Sequence, residues 1–207
     1  MNQGKLFYLM GASGAGKDSL INYARHKLND PAHFKFVRRR ITRPTDPNDN
    51  NNDDYLSPAE FRRQQIDGNF ALSWERHGIF YGITNEINVW IKTGSHVVIN
   101  GSRHHYPTAR TTYPNLYAIW ITADPAILEQ RLQKRGRETP DKIKERMASA
   151  TSFTLPHPDS DRKSSIIENN GSLVDAGELF LKILLQKAVT HPNNKHDGNI
   201  LKPISYR

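Results

Sequence analysis

Nine residues near the start of the chain, Gly11-Ala12-Ser13-Gly14-Ala15-Gly16-Lys17-Asp18-Ser19, constrain the fold more than any other stretch. They follow an apolar run, Leu6-Phe7-Tyr8-Leu9-Met10, and precede helical apolar spacing at Leu20, Ile21, Tyr23, Ala24 and Leu28. Glycine, four residues and then Gly-Lys, entered from a strand and left through a helix, is a phosphate-binding loop in its required context. Glycines let the backbone wrap a triphosphate with its N–H groups pointing inward. The N-terminus of the following helix adds partial positive charge, and Lys17 is placed to reach the β- and γ-phosphates. One position departs from the pattern: Asp18 stands where Ser or Thr usually offers a hydroxyl to magnesium.

At 207 residues the chain reads as one domain with small insertions, long enough to bury a core. No apolar run reaches membrane-spanning length, and the start leads directly into a strand, so no membrane contact and no secretory signal are expected. The absence of cysteine excludes disulfides and cysteine-based metal sites or catalysis, and a cytoplasmic location is the default. The formal charge of +8 admits either nucleic acid or small, highly phosphorylated molecules as partners. Basic residues cluster in short stretches, Arg38-Arg39-Arg40 with Arg43, and Arg131, Arg135 and Arg137. There is no long basic helix and no aromatic-basic stripe, so small anions are expected and nucleic acid is not.

Strands are expected over 5–10, 34–41, 70–74, 81–84, 96–100, 116–122 and 164–167, and helices over 17–28, 86–92, 124–134, 139–150 and 173–189. Ser57-Pro58-Ala59-Glu60 starts a further helix through an N-cap Ser, Pro at the first position and Glu three after the cap. Residues 45–54 are too polar to pack and read as a loop, as do 154–163. The polar, aperiodic 191–207 reads as a disordered tail. Alternating strands and helices predict an α/β fold with a parallel core sheet flanked by helices. Ligands of such sheets sit at the carboxyl ends of the strands, which lines up the phosphate loop, Asn100-Gly101-Ser102-Arg103 and 122–124 along one rim. Residues 35–88 are expected to form a small inserted subdomain within a 1–190 domain.

Phosphoryl transfer needs positioning and charge neutralisation. Arg131 and Arg135, at i and i+4, share one helix face, and Arg137 follows a glycine hinge at Gly136. Such a segment can close over a transferring phosphate, and Arg146 on the next helix can join it. Arg39, Arg40, Arg43 and Tyr55 suit a second phosphorylated substrate. The nine histidines show no zinc-ligand spacing, and His104-His105 read as surface.

The order of Thr42-Arg43-Pro44, Asp54-Tyr55-Leu56-Ser57, Phe70 to Trp74, Tyr81-Gly82, Arg131-Leu132, Arg135-Gly136 and Asn169 resembles the guanylate kinase branch of the phosphate-loop kinases. That resemblance implies a P-loop NTPase core, an inserted acceptor-binding subdomain and a small lid over 131–160. The departures are informative. Guanylate kinases read guanine with carboxylates; here Ser73 precedes Trp74, and the central strand ends in Asn100-Gly101 instead of an acidic pair. Their second phosphate-binding arginine is missing, with Asp46 near its place.

Gly16-Lys17-Asp18-Ser19-Leu20, Ala71-Leu72-Ser73-Trp74, Asn100-Gly101-Ser102-Arg103, Arg135-Gly136-Arg137-Glu138 and Asn169-Asn170-Gly171-Ser172 resemble a narrower group, the ribose 1,5-bisphosphate phosphokinases of bacterial phosphonate degradation. This resemblance implies ATP-dependent conversion of α-D-ribose 1,5-bisphosphate to 5-phospho-α-D-ribosyl 1-diphosphate. It implies catalytic roles for Lys17, Arg131, Arg135 and Arg137, with ATP on 11–19. It implies acceptor binding by Arg39, Arg43, Tyr55, Ser73, Tyr81, Asn100, Ser102 and Arg103. Because the central strand lacks the usual acids, Asp18 is the expected Mg2+ residue. The alternatives are a guanylate or other nucleoside monophosphate kinase, opposed by Ser73 and Asn100, and a non-catalytic binding module, opposed by the intact Gly16-Lys17 and the arginines.

Overall fold

In the computed structural model, residues 3–44, 52–136, 139–151 and 163–189 are described. Arg137, most of the expected 45–54 and 154–163 loops, part of the lid and the expected tail lie outside them. Among the described residues, five strands form a parallel sheet in the order β2 (Phe34–Phe36), β7 (His96–Asn100), β1 (Leu6–Gly11), β8 (Tyr117–Thr122), β9 (Ser164–Glu168). Period-2 alternation divides the central strands between two cores. Phe7, Leu9, Val98, Ile119 and Ile121 face α1 (Lys17–Leu28) and α7 (Leu173–Val189). Leu6, Tyr8, Met10, Val97, Ile99, Ala118 and Trp120 face the side closed by α3 (Glu86–Lys92) and α4 (Tyr106–Thr112). Burial on both faces is why these strands read as unbroken apolar runs.

Between β2 and α3 the chain forms a second sheet, ordered β4 (Asp53–Tyr55), β3 (Arg39–Ile41), β6 (Ile79–Thr84), β5 (Phe70–Arg76). Helix α2 (Pro58–Ile66) covers it through Phe61, which stacks on Phe70 with ring centroids 4.7 Å apart. Its capping box forms as expected: Ser57 Oγ accepts from the Glu60 N–H, and the Glu60 carboxylate accepts from the Ser57 N–H. The β5–β6 hairpin turns at His77 and Gly78, whose φ values of 53° and 73° match the left-handed pair of a tight two-residue hairpin turn. On the carboxyl side of the core sheet lie α5 (Pro125–Arg135) and α6 (Pro140–Thr151).

Two expectations are corrected, and one helix is added. The single strand over 34–41 is two, because the chain leaves one sheet for the other at Val37-Arg38, where the Val37 N–H still donates to the β7 carbonyl of Val98. The polar 45–54 segment is not all loop. Its end forms β4 beside β3; Asp53 is buried because Arg39 supplies the compensating charge, and Asn52 is buried with its Nδ2 on the Asp18 carbonyl. Helix α4 was not foreseen: Thr108, Thr111 and Thr112 are weak helix formers, and packing of Ala109 against the core holds the segment helical.

Candidate active site

The phosphate loop bridges β1 and α1 at the carboxyl edge of the parallel sheet. Gly14 and Gly16 adopt φ of 84° and 92°, a region that L side chains avoid. A Cβ on Gly16 would also sit 2.3 Å from Asn169 Nδ2. Asn169 follows β9 and is buried; its Nδ2 donates to the Ala15 carbonyl at 2.8 Å, tying the edge of the sheet to the loop. Lys17 is largely enclosed and its Nζ donates to the Gly11 and Ala12 carbonyls, each at 3.0 Å. Burial lowers its pKa to about 8; Asp18 opposes the shift, while Arg39, Arg103 and Arg135 add to it.

Asp18 opens α1. Its Oδ1 accepts from Asn100 Nδ2 at 2.7 Å and lies 4.0 Å from an Arg39 NH2, while its backbone carbonyl accepts from Asn52 Nδ2 at 3.3 Å. Asn100 Oδ1 and Asn52 Oδ1 are buried with no hydrogen-bond partner. A carboxylate with two unfilled amide oxygens beside it is an oxygen-only donor set that suits a hydrated magnesium ion, whose waters donate to such acceptors. The structure thus sets Asn100, expected on the sugar, against Asp18.

Along α5, Arg131 NH2 donates to the Asn169 carbonyl at 2.9 Å and NH1 to the Gly14 carbonyl at 3.4 Å. Arg135, one turn on and exposed, lines the same groove along Gly14, Gly16 and Ser19. On the other side of the loop a cavity opens between the second sheet, the turn after β7 and α6. Arg39, Tyr81, Trp74 and His105 stack in succession there. The Arg39 guanidinium lies 5.4 Å from the Tyr81 ring, Tyr81 is 5.4 Å from Trp74, and Trp74 is 5.3 Å from His105. His105 is therefore packed, not the surface residue expected, and burial lowers its pKa.

Gly101, Ser102 and Arg103 form the opposite wall. The buried Tyr8 hydroxyl donates to the Ser102 carbonyl and accepts from its N–H, both at 2.9 Å. A Cβ on Gly101 would strike the Tyr8 ring at 2.1 Å, so glycine is required there. Helix α6 crosses above, with Arg146 NH1 donating to Ser13 Oγ at 2.7 Å. Among the described residues lining the cavity are Lys17, Arg39, Arg76, Arg103 and Arg146, and none is Asp or Glu.

Not every expected acceptor residue reaches this cavity. Ser73 alternates with Trp74 along β5 and accepts from Gln65 Nε2 of α2 at 3.2 Å, on the other face of the sheet. Tyr55 sits in β4 opposite Ile41, outside the lining, and Arg43 acts on the Tyr81 hydroxyl through its charge. Arg76 was missed by sequence reasoning. Period-2 spacing from Trp74 was the available signal, since residues two apart on a strand share a face. No group of three or more His, Asp or Glu able to hold a metal occurs among the described residues, nor is any helix there long and apolar enough to cross a membrane.

A parallel sheet with a glycine loop and lysine at its carboxyl edge, arginines on both sides and a second sheet walling a cationic cavity defines a phosphate-loop kinase. The guanylate kinase profile matches residues 3–172, and the chain belongs to the guanylate kinase family. The fold is similar to guanylate kinase from Anaplasma phagocytophilum, with a TM-score of 0.67 at 14% identity over 91% of this chain and 88% of that one. It is less similar to a gluconokinase from Sinorhizobium meliloti, with a TM-score of 0.51 at 16% identity over 90% and 94%. In sequence it is 44% identical to the ribose 1,5-bisphosphate phosphokinase PhnN of Thiobacillus denitrificans, over 89% of this chain and 94% of that protein. Identity to the protein of the same name from Chromobacterium violaceum is 43%, over 87% and 94%.

Proposed function

We propose that this chain is an ATP-dependent kinase that converts α-D-ribose 1,5-bisphosphate to 5-phospho-α-D-ribosyl 1-diphosphate and ADP. The observation that carries this reading is the acceptor cavity. It is lined by arginines, hydroxyls and stacked rings, with no carboxylate among the described lining residues to read a base. The named relatives, similar over nearly their full length, support the same substrate.

An oxygen of the acceptor's 1-phosphate attacks the γ-phosphorus of ATP. The bond from that phosphorus to the β–γ bridging oxygen breaks, and ADP leaves with the electron pair. The attacking oxygen is already ionised at neutral pH, so no strong general base is required. Lys17 leaves the Gly11 and Ala12 carbonyls to neutralise the β- and γ-phosphates. Arg131 holds the loop to β9, Arg135 approaches from α5, and Arg146 braces Ser13 from above. Arg103 and Ser102 serve the acceptor from the turn after β7. Arg39 has both arms of its fork on Asp53, at 2.7 and 2.9 Å, so it acts through the Tyr81 stack and its charge. Asp18, with the amide oxygens of Asn100 and Asn52 beside it, would hold a hydrated magnesium ion, which would supply further neutralisation of the triphosphate.

The reading is tested by ADP release with ATP and magnesium, comparing ribose 1,5-bisphosphate with GMP as acceptor. Turnover with the sugar bisphosphate alone is expected; turnover with GMP alone would establish a divergent guanylate kinase. For Asp18→Asn, the magnesium concentration giving half-maximal nucleotide binding is expected to rise roughly tenfold or more. An unchanged magnesium dependence would remove Asp18 from the metal site.

A further inference from the structure

Two arginines that line the acceptor cavity meet on one residue of α6. Arg76 ends β5 at the hairpin tip, and Arg103 sits in the turn after β7. Both guanidinium groups converge on Ser149 of α6: Arg76 NH2 donates to Ser149 Oγ at 3.0 Å, and Arg103 NH2 to its carbonyl at 3.5 Å. Bringing like charges onto one residue is unfavourable unless an anion lies between them. Arg103 has its pKa lowered by burial and by Arg76. Helix α6 also measures how far this pair lies from the chemistry. Arg146, one turn before Ser149, reaches Ser13 in the phosphate loop, so the Arg76–Arg103 pair is displaced along the helix by about 4.5 Å of axial rise.

A ribose carrying phosphates on C1 and C5 presents two dianions at opposite ends of one sugar. It needs one anion site against the transferring phosphoryl group and a second beyond the ring. We propose that Arg76 and Arg103 form that second site, binding the non-reacting 5-phosphate in the cavity that Trp74 and Arg39 also line. The inference rests on the proposed acceptor and deepens it: the two guanidinium groups select a bisphosphate over a monophosphate.

Ribose 5-phosphate, which carries only the distal phosphate, is the probe. Its equilibrium binding to the nucleotide-free protein is measured by calorimetry, and its inhibition of turnover is measured in parallel. Arg76→Gln and Arg103→Gln are each expected to weaken its binding by tenfold or more. The same variants should raise KM for ribose 1,5-bisphosphate by a similar factor, with KM for ATP within about twofold of wild type. Unchanged ATP affinity in both variants separates loss of the subsite from loss of the fold. If neither arginine variant changes ribose 5-phosphate affinity, the subsite is refuted. Absence of wild-type turnover with ribose 1,5-bisphosphate would instead refute the substrate assignment, which the binding arm does not use.

Discussion

Replacing Lys17 by methionine is expected to lower kcat about a thousandfold, the loss typical of removing one preorganised charge from a transition state. The fold should survive the change. With its pKa held near 8, Lys17 carries a cost to the folded state that is fully present below pH 8 and disappears as pH rises towards the ordinary value of 10.5. Methionine relieves that cost, so thermal stability at pH 7 should not fall. The same depressed pKa makes ATP binding proton-linked. The free protein loses the Lys17 proton near pH 8, whereas bound phosphates favour the charged form. Between about pH 8 and 10 the wild type should therefore take up a proton on binding, and ATP affinity should weaken as pH rises through that window. Calorimetry at pH 9 in buffers of different ionisation enthalpy reads this uptake directly. No uptake there, or wild-type kcat in Lys17→Met, would remove Lys17 from the triphosphate.

The second large effect is on stability. Arg39 and Asp53 form a forked pair with side chains 12% and 9% exposed, reaching from β3 to β4 within the second sheet. Burial opposes the Arg39 charge, and Asp53, with smaller help from Asp18 and Tyr81, more than offsets it, so the guanidinium pKa is raised. Truncating Arg39 to alanine leaves the Asp53 carboxylate buried without its partner. Breaking such a pair destabilises by about 3–5 kcal/mol, equivalent to roughly 10 °C in melting temperature for a chain of this size. Arg39→Met with Asp53→Leu removes both charges and is expected to recover much of the loss, because the penalty belongs to the orphaned group. A melting temperature for Arg39→Ala within 2 °C of wild type would mean that the pair is solvated in practice. Acceptor affinity should fall together with stability, since Arg39 is the base of the ring stack through Tyr81 and Trp74.

These two residues show how unevenly the site could be read from residue order. Lys17 is fixed by its neighbours: a glycine loop between a buried strand and a helix leaves it one place to go. Arg39 in isolation looked like a phosphate ligand, because its partner lies in a stretch of Asp and Asn that composition alone assigns to solvent. Ser73 was drawn to the acceptor by its place before Trp74, yet the two residues point to opposite faces of β5.

The sequence by itself determined the parallel core, the phosphate loop and the α2 capping box, because strand periodicity, left-handed glycines and caps are decided within about ten residues of chain. Only the tertiary structure decided which polar groups meet. Asn100 reaches Asp18 across 82 residues, Arg131 reaches the Gly14 carbonyl across 117, and Arg76 meets Ser149 across 73. Such pairings depend on how sheets and helices pack and on which face of an element each side chain occupies. Local sequence carries no record of a partner a hundred residues away, so the composition of the cationic cavity became visible only when two sheets and one helix closed around it.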